Sequence, residues 1–327
     1  MGEVMSTKLL FTGPRPRPLV SFEFFPPRRS GNLSLTWAGI DKLLAAAPDF
    51  VTVTYGAGGS TRSQSVDVWR HIRQSTSIPA VAHLTCIGAA RGQVADTVRD
   101  LLQLGVRNFL ALRGDLPRGA TPATYTPGVD ELNRAVQLVE LIRDTAAACL
   151  PDPGEVSIAV AAYPGPDSPR FANDLAALRD KVAAGADYAI TQVFLEASHY
   201  ARLRERAAAV GVQVPLLPGF VPLTDARRVQ RVAELAGIEV PTRLAAALCI
   251  ANPRDRLRAG LRATLDLIGQ TLEAGAPGVH LYTFNRPRPS LDILEYLHAT
   301  RFLSSSADRG VVERFVEATL DTLTPVG

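Results

Sequence analysis

The chain has 327 residues, is 46% hydrophobic and carries a net charge of +3 at neutral pH. This length suits one large α/β barrel or two ordinary domains, and the small charge without a long Lys/Arg block argues against a nucleic-acid partner. No apolar run reaches the length of a membrane span, and the start lacks a secretory signal pattern. The three cysteines form no CxxC pair, so we expect a reducing, cytoplasmic location and no zinc ribbon.

Short apolar segments alternate with longer amphipathic ones along the chain. The predicted strands are Val20–Phe24, Phe50–Thr54, Ala80–Leu84, Asn108–Leu112, Val156–Ala161, Tyr188–Phe194, Gln213–Pro218 and Val279–Thr283. Helical spacing predicts helices at Gly92–Leu104, Val129–Ala148, Asn173–Ala184 and Tyr200–Val210, with an additional helix around Thr242–Leu248.

This alternation predicts a single-domain α/β protein with a parallel (β/α)8 TIM barrel, and a doubly wound open sheet is the alternative. We place the barrel at residues 19–303. A flexible N-terminal segment is expected at residues 1–18, and a C-terminal tail with a short helix at residues 304–327.

Polar residues fall at the C-terminal ends of the predicted strands, where barrel enzymes build their active sites. In chain order they are Glu23, Thr54-Tyr55 with Gly58-Gly59-Ser60, His83, Arg113-Gly114-Asp115, Tyr163, Thr191-Gln192 and Asn285-Arg286. Each alone has a structural alternative, such as a core ion pair for Glu23, a satisfied core histidine for His83 or a simple turn for the glycines. Their placement at successive strand ends favours one shared site.

Glu23 is the most informative of these residues, because it lies in an apolar strand beside Phe22, Phe24 and Phe25. A buried carboxyl group is costly unless it is paired or kept protonated. Other chemistries are disfavoured by the sequence. None of the three lysines lies at a strand end, as a Schiff-base enzyme requires, and metal-binding, GxGxxG and GxSxG patterns are absent.

Seven motifs together resemble the barrel domain of the methylenetetrahydrofolate reductase family. They occur in the family order, at strand ends: FEFFPPR, VTVTYGAGGSTR, HLTCIG, ALRGDLP, AAYP, AITQ and LYTFNR. The resemblance runs from about Leu19 to Leu297, so we expect a short form without the regulatory domain of longer relatives. The family reduces 5,10-methylenetetrahydrofolate to 5-methyltetrahydrofolate, and electrons usually pass from NAD(P)H to FAD and then to the folate.

The resemblance implies roles for individual residues. Glu23 matches the general acid that protonates N10 and opens the five-membered ring of the folate, and its apolar neighbours are expected to raise its pKa. Asp115 matches a carboxylate near both pterin and flavin, Gln192 a pterin hydrogen-bonding group, and Arg286 a residue lining the folate site. The implied cofactor-binding positions are Thr54, His83, Arg113, Gly114, Asp115, Tyr163, Asp174 and Lys181.

The flavin side departs from the family pattern. After Tyr163 the family's Glu-x-His-Pro is replaced by a shorter stretch with Asp167 at the His position. On the next helix Ala177 stands at the family's Asn and Asp180 at an Arg, which places a carboxylate near the expected pyrophosphate. The neighbouring Arg179 lies about 100° around the helix and is not expected to compensate.

Two hypotheses follow for the cofactor: FAD binds weakly, or FAD is absent and NAD(P)H delivers hydride directly. Two further functions stay open. A different flavin-dependent barrel, such as a proline dehydrogenase, is disfavoured by Glu23, Asp115 and Gln192. A non-catalytic folate-binding relative is disfavoured by the retained Glu23. Because relatives self-associate, a homo-oligomer is also expected.

Overall fold

The computed structural model describes residues 5–14, 16–27, 33–54, 62–116, 119–121 and 124–299. Within them the strand segments are β1 Leu19–Phe24, β2 Phe50–Val53, β3 Ala80–Thr85, β4 Asn108–Leu112, β5 Ser157–Ala162, β6 Tyr188–Thr191, β7 Leu216–Leu217, β8 Gly219–Phe220 and β9 Gly278–Tyr282. The glycine-rich Gly58-Gly59-Ser60 stretch, Tyr55 and the tail at residues 304–327 lie outside the described residues.

The described helices follow the strands in alternation. They are α1 Leu33–Leu44, α2 Arg62–Ser75, α3 Arg91–Gln103, α4 Ala135–Cys149, α5 Pro169–Ala183, α6 Ala197–Ala209, α7 Ala226–Ala236, α8 Thr242–Leu248, α9 Pro253–Glu273 and α10 Pro287–Ala299. The additional helix predicted around Thr242–Leu248 is present as α8.

Two helices begin four or more residues away from their predicted starts. The helix α5 starts earlier, because the Ser168 hydroxyl accepts a hydrogen bond from the Phe171 N–H at 3.1 Å and Pro169 takes the first helical position. The helix α4 starts later than Val129. The residues before it are held in an extended bridge to the β3–α3 loop, where the Glu131 carboxylate accepts the Gly88 N–H at 2.6 Å.

The strands form one parallel sheet in the order β7-β6-β5-β4-β3-β2-β1-β9-β8. Only Pro218 separates β7 from β8, and β7 pairs with β6 whereas β8 pairs with β9. Because proline lacks an N–H, it interrupts the ladder where one barrel strand changes its partner. With these halves counted as one strand, eight parallel strands form a nearly closed barrel, which confirms the predicted TIM-type fold.

Alternate residues of each strand face the barrel axis and sort into layers. On β1, the inward-facing side carries Leu19, Ser21 and Glu23 in turn. An apolar layer fills the lower part of the barrel with Leu19, Phe50, Val81, Leu110, Ala159, Tyr188, Ile190 and Leu217. The layer above it, at the C-terminal strand ends, is polar, and this alternation brings Glu23 to the end of the barrel where active sites are built.

The N-terminal segment closes the opposite end of the barrel. Thr7–Phe11 form a short 3-10 helix, and Thr7 is fully buried. Its Oγ1 lies 3.1 Å from Asn108 Oδ1, 3.0 Å from Ser157 Oγ and 3.1 Å from Tyr188 Oη, and its N–H donates to Asn108 Oδ1 at 2.7 Å. This part of residues 1–18 is therefore packed, in contrast to the expected flexible segment, because it satisfies buried polar groups of three strands.

Three general features concern membranes, thiols and metals. None of the helices in the described ranges is long and apolar enough to cross a membrane. Cys86, Cys149 and Cys249 are free thiols. Over the same ranges, His, Cys, Asp and Glu side chains form no group of three or more that could hold a metal ion.

Thr7→Val should destabilise the fold, because it keeps the side-chain shape but removes the hydroxyl that three buried polar groups share. We expect the free energy of unfolding to fall by about 1–3 kcal/mol, the cost of unsatisfied buried polar groups. Urea unfolding would report this as a lower midpoint with an unchanged slope. The control is Thr12→Val, which removes an exposed bond to Leu9 O and should change stability by less than about 0.5 kcal/mol. Equal midpoints for Thr7→Val and the parent protein contradict this account.

Candidate active site

A cavity of about 860 Å³ opens at the C-terminal ends of the strands, within the usual size of small-molecule sites. Every residue that sequence analysis assigned to substrate or cofactor lines it, with the exception of Arg286. These residues are Glu23, Thr54, His83, Arg113, Gly114, Asp115, Tyr163, Asp174, Lys181 and Gln192. The strand ends therefore share one site, as their placement in the sequence predicts.

Glu23 lies near the end of β1, opposite Thr52 of β2 and Tyr282 of β9 in the parallel register. The residue is 8% exposed. Burial raises the pKa of its carboxyl group from 4.5 to about 8, because the charged form would lose its hydration. At neutral pH the Glu23 side chain is therefore a protonated, uncharged acid.

His83 on β3 lies beside Glu23, with its Nε2 atom 3.7 Å from Glu23 Oε2. This distance fits an ion pair but is too long for a good hydrogen bond. Burial lowers the pKa of His83 to about 3 while it raises that of Glu23, so both shifts favour the uncharged forms. We therefore describe the pair as a carboxylic acid beside a neutral imidazole, because both side chains are withdrawn from water.

His280 and Tyr282 on β9 complete this part of the cavity, and sequence analysis gave neither a role. The His280 Nδ1 atom lies 2.8 Å from Ser21 Oγ, and the Tyr282 hydroxyl donates to Thr191 O at 2.8 Å. Burial, and to a smaller extent His83, lowers the pKa of His280 to about 3. The signal in the sequence was their spacing, since residues two apart on a strand share a face. We call Glu23, His83, His280 and Tyr282 the neutral half of the cavity.

The opposite wall carries the charged side chains of the cavity and is formed by the end of β4, the start of α4 and one face of α5. Its cations are Arg113, Arg134, Arg170 and Lys181, and its carboxylates are Asp115, Asp174 and Asp180. We call these seven residues the charged half. The two halves therefore differ sharply in electrostatic character although they border the same space.

Lys181 is the most buried cation of the charged half, at 5% exposure. Its Nζ donates to Ala161 O at 2.5 Å and lies 5.9 Å from the ring centre of Tyr163. Burial lowers its pKa to about 8, and the nearby Asp174 opposes that shift. Burial also raises the pKa of Asp174, against the opposing charges of Arg170 and Lys181. Lys181 therefore remains mostly protonated at neutral pH.

Asp180, which the resemblance aligns with a family arginine, lies on the cavity wall but is paired there. The Arg179 guanidinium donates to Asp180 Oδ1 at 3.0 Å, and Arg134 Nη2 lies 3.9 Å from Oδ2. Arg179 was not expected to replace the missing arginine, and it does not appear among the described residues that line the cavity. Ala177, one turn before Asp180, also lines the cavity.

Asp167, which the resemblance aligns with a family histidine, contacts α6. Its Oδ2 atom lies 3.6 Å from Arg202 Nε and 3.8 Å from Arg206 Nη2. Asp167 does not appear among the described residues that line the cavity. The loop after β5 therefore contacts α6.

Gly114 has a structural reason to be glycine. Its φ is +90°, and a Cβ atom here would lie 2.9 Å from Thr85 Cβ and 3.1 Å from Ile87 Cγ2. A side chain would therefore meet both backbone strain and close contacts. The glycine lets the β4–α4 loop approach the β3–α3 loop, which keeps Arg113 and Asp115 on the rim of the cavity.

An aromatic pair borders the cavity where β1 and β9 end. The Phe25 and Phe284 rings stack with centres 5.8 Å apart, and the Asn285 amide bonds both backbone groups of Phe25, at 2.9 and 2.7 Å. Arg228 of α7 lies over the Phe284 ring at 4.8 Å, and burial followed by the charge of Arg286 lowers the Arg228 pKa. Arg286, the neighbour of Arg228, is exposed. It does not appear among the described residues that line the cavity.

Comparison with known proteins identifies relatives of the whole barrel. The family model for methylenetetrahydrofolate reductase matches residues 13–298. The 5,10-methylenetetrahydrofolate reductase of Pectobacterium carotovorum is 35% identical over 283 residues, which cover 85% of this chain and 89% of that protein. The enzyme of the same name from Escherichia coli is 34% identical, over 85% of this chain and 90% of that one.

More distant relatives match in sequence or in fold. A probable methylenetetrahydrofolate reductase (NADH) from Oryza sativa is 29% identical over 85% of this chain but only 48% of the plant protein. The structure of a Clostridium thermocellum protein that binds two copies of 5-methyl-5,6,7,8-tetrahydrofolic acid has a TM-score of 0.55 at 14% identity, covering 97% of this chain and 98% of that one. That likeness shows a shared fold alone. The family model and the bacterial relatives, which match nearly the whole barrel, establish that this chain is an oxidoreductase of the methylenetetrahydrofolate reductase family.

Proposed function

We propose that this protein reduces 5,10-methylenetetrahydrofolate to 5-methyltetrahydrofolate, with a nicotinamide dinucleotide as the source of hydride. Membership in the family supports the reaction, and one observation carries the assignment to this site. Glu23 is a buried carboxyl group. Burial raises its pKa to about 8, so it keeps its proton at neutral pH. The reaction needs an acid of this kind, because the substrate ring must open before it accepts hydride.

In the proposed reaction, Glu23 gives its proton to N10 of the folate as the bond from N10 to the bridging carbon breaks. The ring opens to an iminium cation at N5, and hydride then adds to its exocyclic carbon to form the methyl group. A group that holds its proton at neutral pH and releases it in the transition state suits general acid catalysis. The neutral imidazoles of His83 and His280 favour this state, because cationic neighbours would lower the pKa of Glu23.

Three further residues are proposed to bind the substrate. Asp115 on the rim would place negative charge near the iminium cation and stabilise it. The Gln192 side chain lines the cavity, and its Oε1 accepts the Val193 N–H at 2.8 Å, which leaves its amide N–H groups directed to other acceptors such as the pterin. Arg286 lies beside Arg228 outside the cavity lining, where it suits the carboxylates of the folate tail.

The cofactor is proposed to bind against the charged half. The residues proposed to hold it are Arg113, Asp115, Asp174 and Lys181 of that half, together with Thr54, His83, Gly114 and Tyr163. When bound, FAD would relay the electrons of NAD(P)H to the folate. The residues present are compatible with a phosphorylated cofactor, because Arg113, Arg134, Arg170 and Lys181 line the same wall. Ala177 and Asp180 remove two polar contacts of the family pattern, which supports direct transfer from NAD(P)H as the second route.

Glu23→Gln should abolish most folate reduction, because it keeps the shape of the side chain but cannot donate a proton. We expect methylenetetrahydrofolate turnover to fall by about 10²- to 10⁴-fold, the usual effect of losing a general acid. Glu155→Gln is the control, since Glu155 is half exposed and pairs with Arg107 away from the cavity. Near-normal turnover in Glu23→Gln rules out the proposed role.

The pH profile provides an independent test of the same group. Because the raised pKa of Glu23 keeps the acid protonated below about pH 8, kcat/KM for the folate should be level at neutral pH and decline as pH rises through that value. Well above it, each pH unit should cost about tenfold. Steady-state rates between pH 6 and 10 (roughly the range that brackets this pKa) measure the profile. A rate that increases through pH 8 means that the ionised carboxylate is the active form.

An absorbance spectrum of the purified protein decides the route of the hydride. A flavin band near 450 nm (roughly, as for flavins in general) in stoichiometric amount supports the FAD route, because the cofactor reports its own presence. Turnover of methylenetetrahydrofolate with NAD(P)H by flavin-free protein supports direct transfer. A protein that binds folate but turns over none of it, with or without added FAD, excludes both routes and favours the non-catalytic alternative.

A further inference from the structure

We propose that Arg134 and Arg170 form a subsite for the diphosphate of a dinucleotide, with Arg134 supplying from α4 the contact that family members make from position 180 on α5. FAD and NAD(P)H share this diphosphate, so the subsite serves either of them. The inference rests on the proposed function, because that reaction requires a dinucleotide. It adds two residues that the family pattern does not assign.

The charge of the cavity favours an anionic ligand group at this subsite. Glu23, His83 and His280 are uncharged at neutral pH, so the neutral half adds no net charge. The charged half contains four cations and three carboxylates, which leaves a net charge of +1 (four minus three). This positive charge lies on the α4–α5 side, and an anionic group of the ligand is therefore favoured there.

Arg134 lies beside Asp180 with its N–H groups available to a ligand. Arg179 donates to Asp180 Oδ1 at 3.0 Å, whereas Arg134 approaches Oδ2 only to 3.9 Å. A separation of 3.9 Å is a charge contact beyond hydrogen-bond distance, so the N–H groups of Arg134 are not consumed by this carboxylate. Arg179 thus neutralises the charge of Asp180. Asp180 and Arg134 both line the cavity, and the contact between them orients Arg134 towards it.

Arg170 lies in the first turn of α5 and is held there by its neighbours. Its guanidinium fills the space beside Gly237, which ends α7 with a φ of +65°, and a Cβ atom on Gly237 would collide with Arg170 Nη1. The Arg170 Nε atom also lies 3.8 Å from Asp174 Oδ2. Contacts with α7 and Asp174 therefore hold this guanidinium on the wall of the cavity that Arg134 also lines, and guanidinium groups suit phosphate oxygens.

The experiment compares Arg134→Ala with Arg179→Ala. Both side chains contact Asp180 and are similarly exposed, at 63% for Arg134 and 55% for Arg179. Of these two, Arg134 appears among the described residues that line the cavity and Arg179 does not. FAD, NADH and NADPH are each titrated into wild type and both variants at two salt concentrations, with binding followed by fluorescence. Urea unfolding checks that both variants fold like wild type, and 5-methyltetrahydrofolate is titrated as the folate arm.

Arg134→Ala should raise the Kd of at least one dinucleotide by about 10- to 100-fold, the effect of losing a charged phosphate contact. It should also make binding less dependent on salt. Arg179→Ala should change Kd by less than about threefold, because Arg179 lies outside the described cavity lining and its ion pair with Asp180 is exposed. Arg170→Ala should resemble Arg134→Ala. The dinucleotide whose binding is weakened identifies the occupant as FAD or as the nicotinamide cofactor.

Three results would overturn the inference: unchanged affinity for all three dinucleotides in Arg134→Ala, wild type that binds none of them, or weakening of the folate alone. The last result would assign Arg134 to the carboxylates of the substrate. The proposed function is judged separately, by turnover of wild type. Dinucleotide binding that depends on Arg134, without any folate turnover, would leave the subsite in place and refute the proposed function.

Discussion

Exclusion of water from the end of β1 is the constraint on which this site depends. It raises the pKa of Glu23 to about 8 and lowers those of His83 and His280 to about 3. One physical cause therefore sets three protonation states, and each supports the others. If either imidazole became a cation, its charge would favour ionisation of Glu23, and the acid would lose the proton that the chemistry requires.

The same constraint explains why cations and acid occupy different walls. A positive charge about 8 Å from Glu23, at an effective dielectric constant of about 20, would be worth about 2 kcal/mol, or about 1.5 pKa units. An arginine near β1 would thus ionise the acid at neutral pH. The cations of the cavity instead follow β4, α4 and α5, where they can meet phosphates while the acid keeps its proton.

Local patterns in the sequence predicted the strands, the barrel and the polar residues at the strand ends, because inward-facing positions alternate and active sites follow strand ends. The family resemblance added Asp174 and Lys181, which also line the cavity. Long-range features were out of reach. The change of partner at Pro218 depends on two strands distant in sequence, and nothing near Thr7 indicates its partners on β4, β5 and β6. His280 could have been found from its spacing to Tyr282.

The packing of Thr7 also bears on the order in which the protein is completed. Its partners Asn108, Ser157 and Tyr188 follow it by 101, 150 and 181 positions. Synthesis at about 5–20 residues per second delivers the last of them only after about 10–35 seconds. The Thr7 segment must therefore wait, unburied, until the 181 residues from it to Tyr188 have been made. It thus closes the barrel only after β6 exists to receive it.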